Sequence, residues 1–191
     1  MSLLDRAVVT LLPAVPKPLI RRISSRYIAG SELEDARRAV AELNAAGKLA
    51  TVDVLGEEIP RADEAKAITQ SYLDLLDAIE ADGLDANVSV KLTGLGLKLD
   101  PGLARENLKA IADKGTFVRI DMEDSSTTDA TLDLYRELQG EGYESLGVVL
   151  QAALRRTVDD ARGLAGANVR LCKGIYIEPA EIAYRDFDEI R

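Results

Sequence analysis

The run VSVKL (88–92) sets Val88, Val90 and Leu92 against Ser89 and Lys91, a two-residue period that belongs to a strand with one apolar and one polar face. The alternation returns in VRIDME (118–123), where Val118, Ile120 and Met122 alternate with Arg119, Asp121 and Glu123. It returns again in LGVVLQ (146–151), where Leu146, Val148 and Leu150 alternate with Gly147, Val149 and Gln151. Strands of a doubly wound parallel sheet are covered by helices on both faces and are apolar at nearly every position. These strands keep one parity that is polar or ends in a polar group. A parallel barrel accounts for this, with the apolar parity against an outer ring of helices and the other parity pointing into the lumen, where strand C-termini carry the chemistry.

The same cadence extends in both directions. Further β-rich runs lie at 51–55 and 169–172, and amphipathic helical patterns lie at about 63–80, 101–113, 127–140 and 155–163. Pro101 suits the first turn of its helix. Strand, helix and strand at this spacing predict βαβ units and a parallel sheet, an α/β fold. Upstream, Ser31 and Glu34 form a capping-box pattern, and Leu33, Ala36, Val40 and Leu43 repeat at helical spacing up to Gly47. Residues 1–47 thus read as an N-terminal helical arm and 48–191 as the barrel unit.

Composition narrows the chemistry. The chain has 191 residues, net charge −9, no histidine and one cysteine, Cys172. Lack of histidine removes Ser-His-Asp and Cys-His nucleophile systems, a histidine base and His-ligated metals, and no metal site is expected. A single cysteine and no apparent secretion signal point to a reducing, cytoplasmic compartment. Residues 1–27 hold five basic groups against one acid, while the remainder holds 19 against 32. The acidic body argues against a nucleic-acid partner. The basic, leucine-rich start is compatible with peripheral contact at an anionic inner-membrane surface, but its prolines keep it from spanning.

Lys91, Asp121, Gln151 and Arg170 are the polar groups at or near strand ends. Buried charges persist when paired or when a ligand meets them, so convergence at one mouth predicts a ligand site. The other motifs read as structural. Gly94 and Gly96 lack the third glycine and the helix of a dinucleotide fingerprint. Arg155 and Arg156 open a helix on the outer ring, and Glu57 and Glu58 point apart in an extended segment. Without a histidine to activate it, Cys172 reads as a small buried hydrophobe. Lys91 or Lys173 as a Schiff-base lysine in a barrel aldolase stays open on these residues alone.

VSVKLTGLGL (88–97), VRIDMEDS (118–125), GVVLQAALRRT (147–157) and VRLCKGIYIEP (169–179), in this order and spacing, resemble successive motifs of the proline dehydrogenase family in its small monofunctional bacterial form. RRISSRYIAG (21–30) resembles that form's N-terminal helices. The resemblance implies a distorted (β/α)8 TIM-type barrel holding FAD, which oxidises L-proline to 1-pyrroline-5-carboxylate and passes electrons to a quinone. It also implies roles. Lys91 falls on the lysine that holds the substrate carboxylate, and Tyr176 on an aromatic near the substrate pocket. Asp121 falls on the aspartate that organises the active site, with Met122 beside the flavin. Gln151 matches the flavin-bonding glutamine, Arg170 the arginine near the reactive flavin nitrogen, and Lys173, Gly174 and Ile175 the loop along the cofactor. Cys172 stands where valine is usual, and Ala153 where an aromatic is common.

The family's T-H pair and its R-R-x-x-E helix have no counterpart in these residues. The expectation is therefore a chain with about five of eight strands, an open sheet edge, and weak or absent turnover by itself, or a non-catalytic fragment. An open edge also predicts low stability or association, including homo-oligomers.

Overall fold

A computed structural model describes residues 28–191. The basic start, and with it most of the expected arm, lies outside the described residues. Helix α1 (Leu33–Ala45) leads into strand β1 (Ala50–Asp53), helix α2 (Ala62–Ala81) and strand β2 (Ala86–Val90). Helix α3 (Pro101–Ala112), strand β3 (Val118–Ile120), a 3₁₀ turn (Ser125–Thr127) and helix α4 (Thr128–Gly140) follow. Strand β4 (Leu146–Gln151), the short helix α5 (Thr157–Arg162), strand β5 (Asn168–Cys172) and the turn of helix α6 (Phe187–Ile190) complete the chain.

All five strands are parallel, and their spatial order is their order in sequence, β1-β2-β3-β4-β5. Each strand pairs with its predecessor, and the order never reverses. A doubly wound sheet needs such a reversal, whereas a barrel steps always to the next neighbour. The fold is therefore the TIM-barrel type of α/β fold, present as a five-stranded arc with β1 and β5 at its edges.

The apolar parity forms the core. Val88, Val90, Val118, Ile120, Leu146, Val148 and Leu150 pack against Tyr72, Leu75, Leu76 and Ile79 of α2, Leu108 and Ile111 of α3, and Leu132 and Leu138 of α4. Burying each large aliphatic side chain contributes about 1.5–3 kcal/mol. Asp100 caps α3 by accepting the Gly102 N–H at 2.8 Å, with Pro101 in the first turn as expected. Helix α1 docks on this body. Arg37 grips Asp82 with two hydrogen bonds of 2.6 and 2.8 Å, and the Asn44 carboxamide pairs with both backbone groups of Asp85.

The structure shifts several boundaries. The cap of α1 moves by one residue: the Asp35 carboxylate accepts from the Glu32 N–H at 3.4 Å, and Ser31 only bonds to Glu32. Strand β1 stops at Asp53, leaving Leu55 exposed. The helix expected from 155 starts at Thr157, because residues 153–155 are held by the segment 182–184. The Arg155 N–H donates to the Ile182 carbonyl, and the Tyr184 N–H donates to Ala153. Cys172 is exposed, contrary to the buried position expected from its residue type. It lies on the edge strand, and no further strand among the described residues pairs there.

Candidate active site at the strand ends

Register decides which side chains share the inner face. Asp53 pairs with Ser89, Ser89 with Arg119, Arg119 with Gly147, and Gly147 with Asn168, forming one continuous row across the sheet. Two residues further along each strand, Lys91 and Asp121 follow on the same parity, and Val149 pairs with Arg170. The Asp121 N–H still donates to the Val90 carbonyl at 2.9 Å, so pairing continues past the end of β3. The next row holds Thr93 and Glu123 with Gln151, which pairs with Cys172. Lys91, Asp121, Gln151 and Arg170 thus gather on one face at the C-terminal ends of four neighbouring strands.

Lys91 Nζ lies 2.5 Å from the Asp53 carboxylate. Burial alone pushes this ammonium down, but the Asp53 hydrogen bond and the charges of Asp53, Asp121 and Glu57 outweigh it, and its pKa is raised. The Tyr72 hydroxyl braces the pair from the helix side, 2.9 Å from Asp53 and 2.7 Å from the Ser89 carbonyl, and it accepts the Val54 N–H at 3.1 Å. Burial and the Asp53 charge push this phenol well above its ordinary range.

Arg119 occupies the row below. It is 8 % exposed, lies 4.8 Å from the Phe117 ring, and reaches over Gly147 to the Asn168 carbonyl at 3.0 Å and the Asn168 side chain at 2.8 Å. A Cβ on Gly147 would sit 2.5 Å from Arg119 Nη1, so the glycine is the opening through which this tie passes. Arg119 Nε and Ser89 Oγ, neighbours in the row, are buried without a hydrogen-bond partner. Desolvation, with the nearby charge of Arg170, lowers the Arg119 pKa.

Gln151 is 3 % exposed and donates from Nε2 to the Glu123 carbonyl at 2.8 Å. Glu123 itself is buried, its carboxylate accepting from the backbone N–H and the hydroxyl of Thr93. Beyond β5 the chain turns back over this mouth: the Glu178 carboxylate accepts from the Ser125 N–H at 2.7 Å and from its hydroxyl at 2.8 Å. Gly174, at φ +100°, makes the turn, and a Cβ there would lie 3.0 Å from Gln151 Oε1. Tyr176 is half-buried; burial, with the charges of Glu57, Glu123, Asp124 and Glu58, pushes its phenol up to about 12.

The structure does not bring all the expected residues together. Met122 is buried in the apolar core rather than among the polar groups, because it continues the parity of Val118 and Ile120. Ile175 is 86 % exposed, and Lys173 lies over the Phe187 ring at 4.2 Å. Arg156 serves structure, bonding to Asp160 and Asp129. A concavity of about 690 Å³ lies at the opposite end of the strands between Leu84 and Lys114 and carries none of this chemistry. No group of three or more His, Cys, Asp or Glu side chains among the described residues is arranged to hold a metal.

Residues 36–183 match the proline dehydrogenase family. The chain belongs to that family. It is 38% identical over 167 residues to proline dehydrogenase 1 of Bacillus subtilis subsp. natto, covering 84% of this chain and 55% of that protein. It is 36% identical over 174 residues to proline dehydrogenase of Deinococcus radiodurans, covering 86% of this chain and 56% of that one. The chain thus spans about half the length of the curated relatives it matches. The fold is shared with proline utilization A from Bdellovibrio bacteriovorus, solved after inactivation by N-propargylglycine, at a TM-score of 0.72 and 24% identity over 81% of this chain and 20% of that one. No helix among the described residues is long and apolar enough to cross a membrane.

Sequence reasoning missed Asp53, Tyr72, Arg119 and Glu123 as parts of the site. Three of them were open to the parity argument, since Asp53, Arg119 and Glu123 lie on the same alternation as Lys91 and Asp121. Tyr72 sits on a helix and gave no such signal.

Proposed function

We propose that these residues form the substrate-lysine and flavin-edge portion of an enzyme that oxidises L-proline to 1-pyrroline-5-carboxylate, with FAD as cofactor and a quinone as electron acceptor. The observation that carries this reading is the gathering of Lys91, Asp121, Gln151 and Arg170 on one inner face within a chain of the proline dehydrogenase family.

The donor set fits a flavin. Gln151 keeps a second N–H beyond the one given to Glu123, and Arg170 offers an exposed guanidinium. Gly174 lets backbone approach Gln151 closely, and Ile175 presents apolar surface beside it. A bound flavin would supply the hydride acceptor for the substrate carbon, and Gln151 and Arg170 would be the donors at its edge. Lys91 binds the proline carboxylate as a point charge. Three ammonium protons let it keep Asp53 and take the substrate as well. Asp53 and Tyr72 hold that ammonium in place. Asp53, and to a lesser extent the charge of Asp121, favours the protonated ammonium.

The same geometry disfavours the Schiff-base reading, which requires an amine with a lowered pKa. Lys91 is raised, and Lys173 is held over an aromatic face.

The visible spectrum of the purified protein tests the reading. Bound FAD whose spectrum changes on anaerobic addition of L-proline, with slow bleaching or none from this five-stranded portion by itself, is the expected result, and a protein whose flavin spectrum never responds to proline would refute it. Lys91→Ala should raise the proline concentration for the half-maximal spectral change by about 10- to 100-fold, the worth of a hydrogen-bonded charge. Unchanged proline dependence would remove Lys91 from the substrate site.

A further inference from the structure

Glu123 is the buried acid for which the proposed chemistry has no use. A carboxylate at 3 % exposure is costly to keep, and its partners here are the Thr93 N–H at 3.0 Å and the Thr93 hydroxyl rather than a cation in contact. Burial raises its pKa. The Thr93 hydroxyl also accepts the Glu58 N–H at 3.0 Å, and the Glu123 carbonyl takes Gln151 Nε2 at 2.8 Å. One continuous chain of hydrogen bonds therefore runs from the loop after β1, through the loop after β2 and the end of β3, to the last residue of β4. Glu123 enters this chain through both its side chain, held by Thr93, and its backbone carbonyl, which accepts from Gln151. Charge-assisted bonds to a carboxylate are roughly twice as strong as neutral ones, so the side chain is the fixed end and the carbonyl follows it.

We propose that Glu123 is a positioning residue that, anchored by Thr93, fixes the orientation of the Gln151 carboxamide at the mouth of the barrel. The consequence for cofactor binding rests on the flavin reading above, but the positioning does not. With Nε2 held by Glu123, the carboxamide has one N–H left, and its Oε1 faces Gly174. Releasing the carboxamide allows it to rotate and costs the edge of the cofactor a pre-aimed donor, while leaving the core beneath untouched.

Three variants of the full chain test this. Thr93→Val keeps the volume and removes the hydroxyl, Thr93→Ser keeps the hydroxyl, and Glu123→Gln keeps the shape and removes the charge. The readouts are the Gln151 side-chain amide resonances in 1H–15N spectra, assigned by their loss in Gln151→Leu, and the dissociation constant for FAD. Thr93→Val and Glu123→Gln should move the Gln151 resonances and weaken FAD about tenfold, and Thr93→Ser should return both to within about twofold of the parent. Resonances that stay fixed in Thr93→Val and Glu123→Gln overturn the proposal, whatever happens to the melting temperature. Should Thr93→Val fail to fold, Glu123→Gln decides alone by the same readout. Shifted resonances in a protein that takes up no FAD support the positioning role and overturn the flavin reading instead.

Discussion

The ends of β2, β3 and β4 and the strand β5 with its following loop carry the same kind of residue, yet they meet different fates. Glu123 and Gln151 are each 3 % exposed and bonded to one another, whereas Arg170 and Cys172, on the same face one strand further along, are exposed. The difference is neighbours. An inner strand has a partner on each side, which closes over its lumen-facing groups and supplies hydrogen bonds. Among the described residues strand β5 has a partner on one side only, so its polar groups stay in solvent and Leu171 and Ile175 remain uncovered. Alternation in a sequence reports which face a residue takes, and pairing decides whether that face is buried.

The largest expected effect separates the two regions by stability. Ile120→Ala, in the centre of the core, should cost about 2–5 kcal/mol, while Ile175→Ala should stay within about 0.5 kcal/mol. Chemical denaturation of both variants makes the comparison, and similar losses would mean that the loop after β5 is buried in the working protein.

A smaller effect concerns the tie that joins the two regions. Gly147→Ala places a methyl group 2.5 Å from Arg119 Nη1 and displaces the guanidinium from Asn168. A loss of about 1–3 kcal/mol is expected, the cost of leaving buried donors unpaired. Amide exchange should quicken in 168–172 more than in 86–90. Equal quickening in both strands would show that Arg119 holds the sheet as a whole rather than its edge.

The smallest effect is one of pH. The Glu123 pKa is raised above 4.5, so the folded chain binds this proton more tightly than the unfolded one. Its contribution to stability is fully present below pH 4.5 and is lost as pH rises through the folded value. Glu57, Lys91 and Tyr176 are the ionisable groups that share its surroundings. Denaturation midpoints of the parent minus those of Glu123→Gln should therefore fall across that window. A flat difference would mean that Glu123 titrates as an ordinary surface acid.

Much of this was legible in the sequence. The alternation through Ser89 and Lys91, and through Arg119 and Asp121, is enough to put these side chains on one face. The structure places Lys91, Asp121, Gln151 and Arg170 on that face. Met122 and Cys172 show where such reading stops. Met122 keeps the apolar parity and goes into the core, and Cys172 follows its edge strand into solvent despite a residue type that favours burial. The return of 178–185 over β3 and β4, held by Glu178 and Tyr184, had no periodic signal, because a segment that packs through single hydrogen bonds leaves no pattern in composition.

The sequence by itself determined the strands, their faces and the chemical character of the mouth, because a two-residue period is a local property of the backbone. Its motifs also sufficed to identify the family. Only the tertiary structure decided that Asp53 and Tyr72 brace Lys91, that Arg119 passes over Gly147, and that Glu123 links Thr93 to Gln151. Each of these contacts joins residues at least 19 positions apart. Their existence depends on the register between strands, which no single strand encodes.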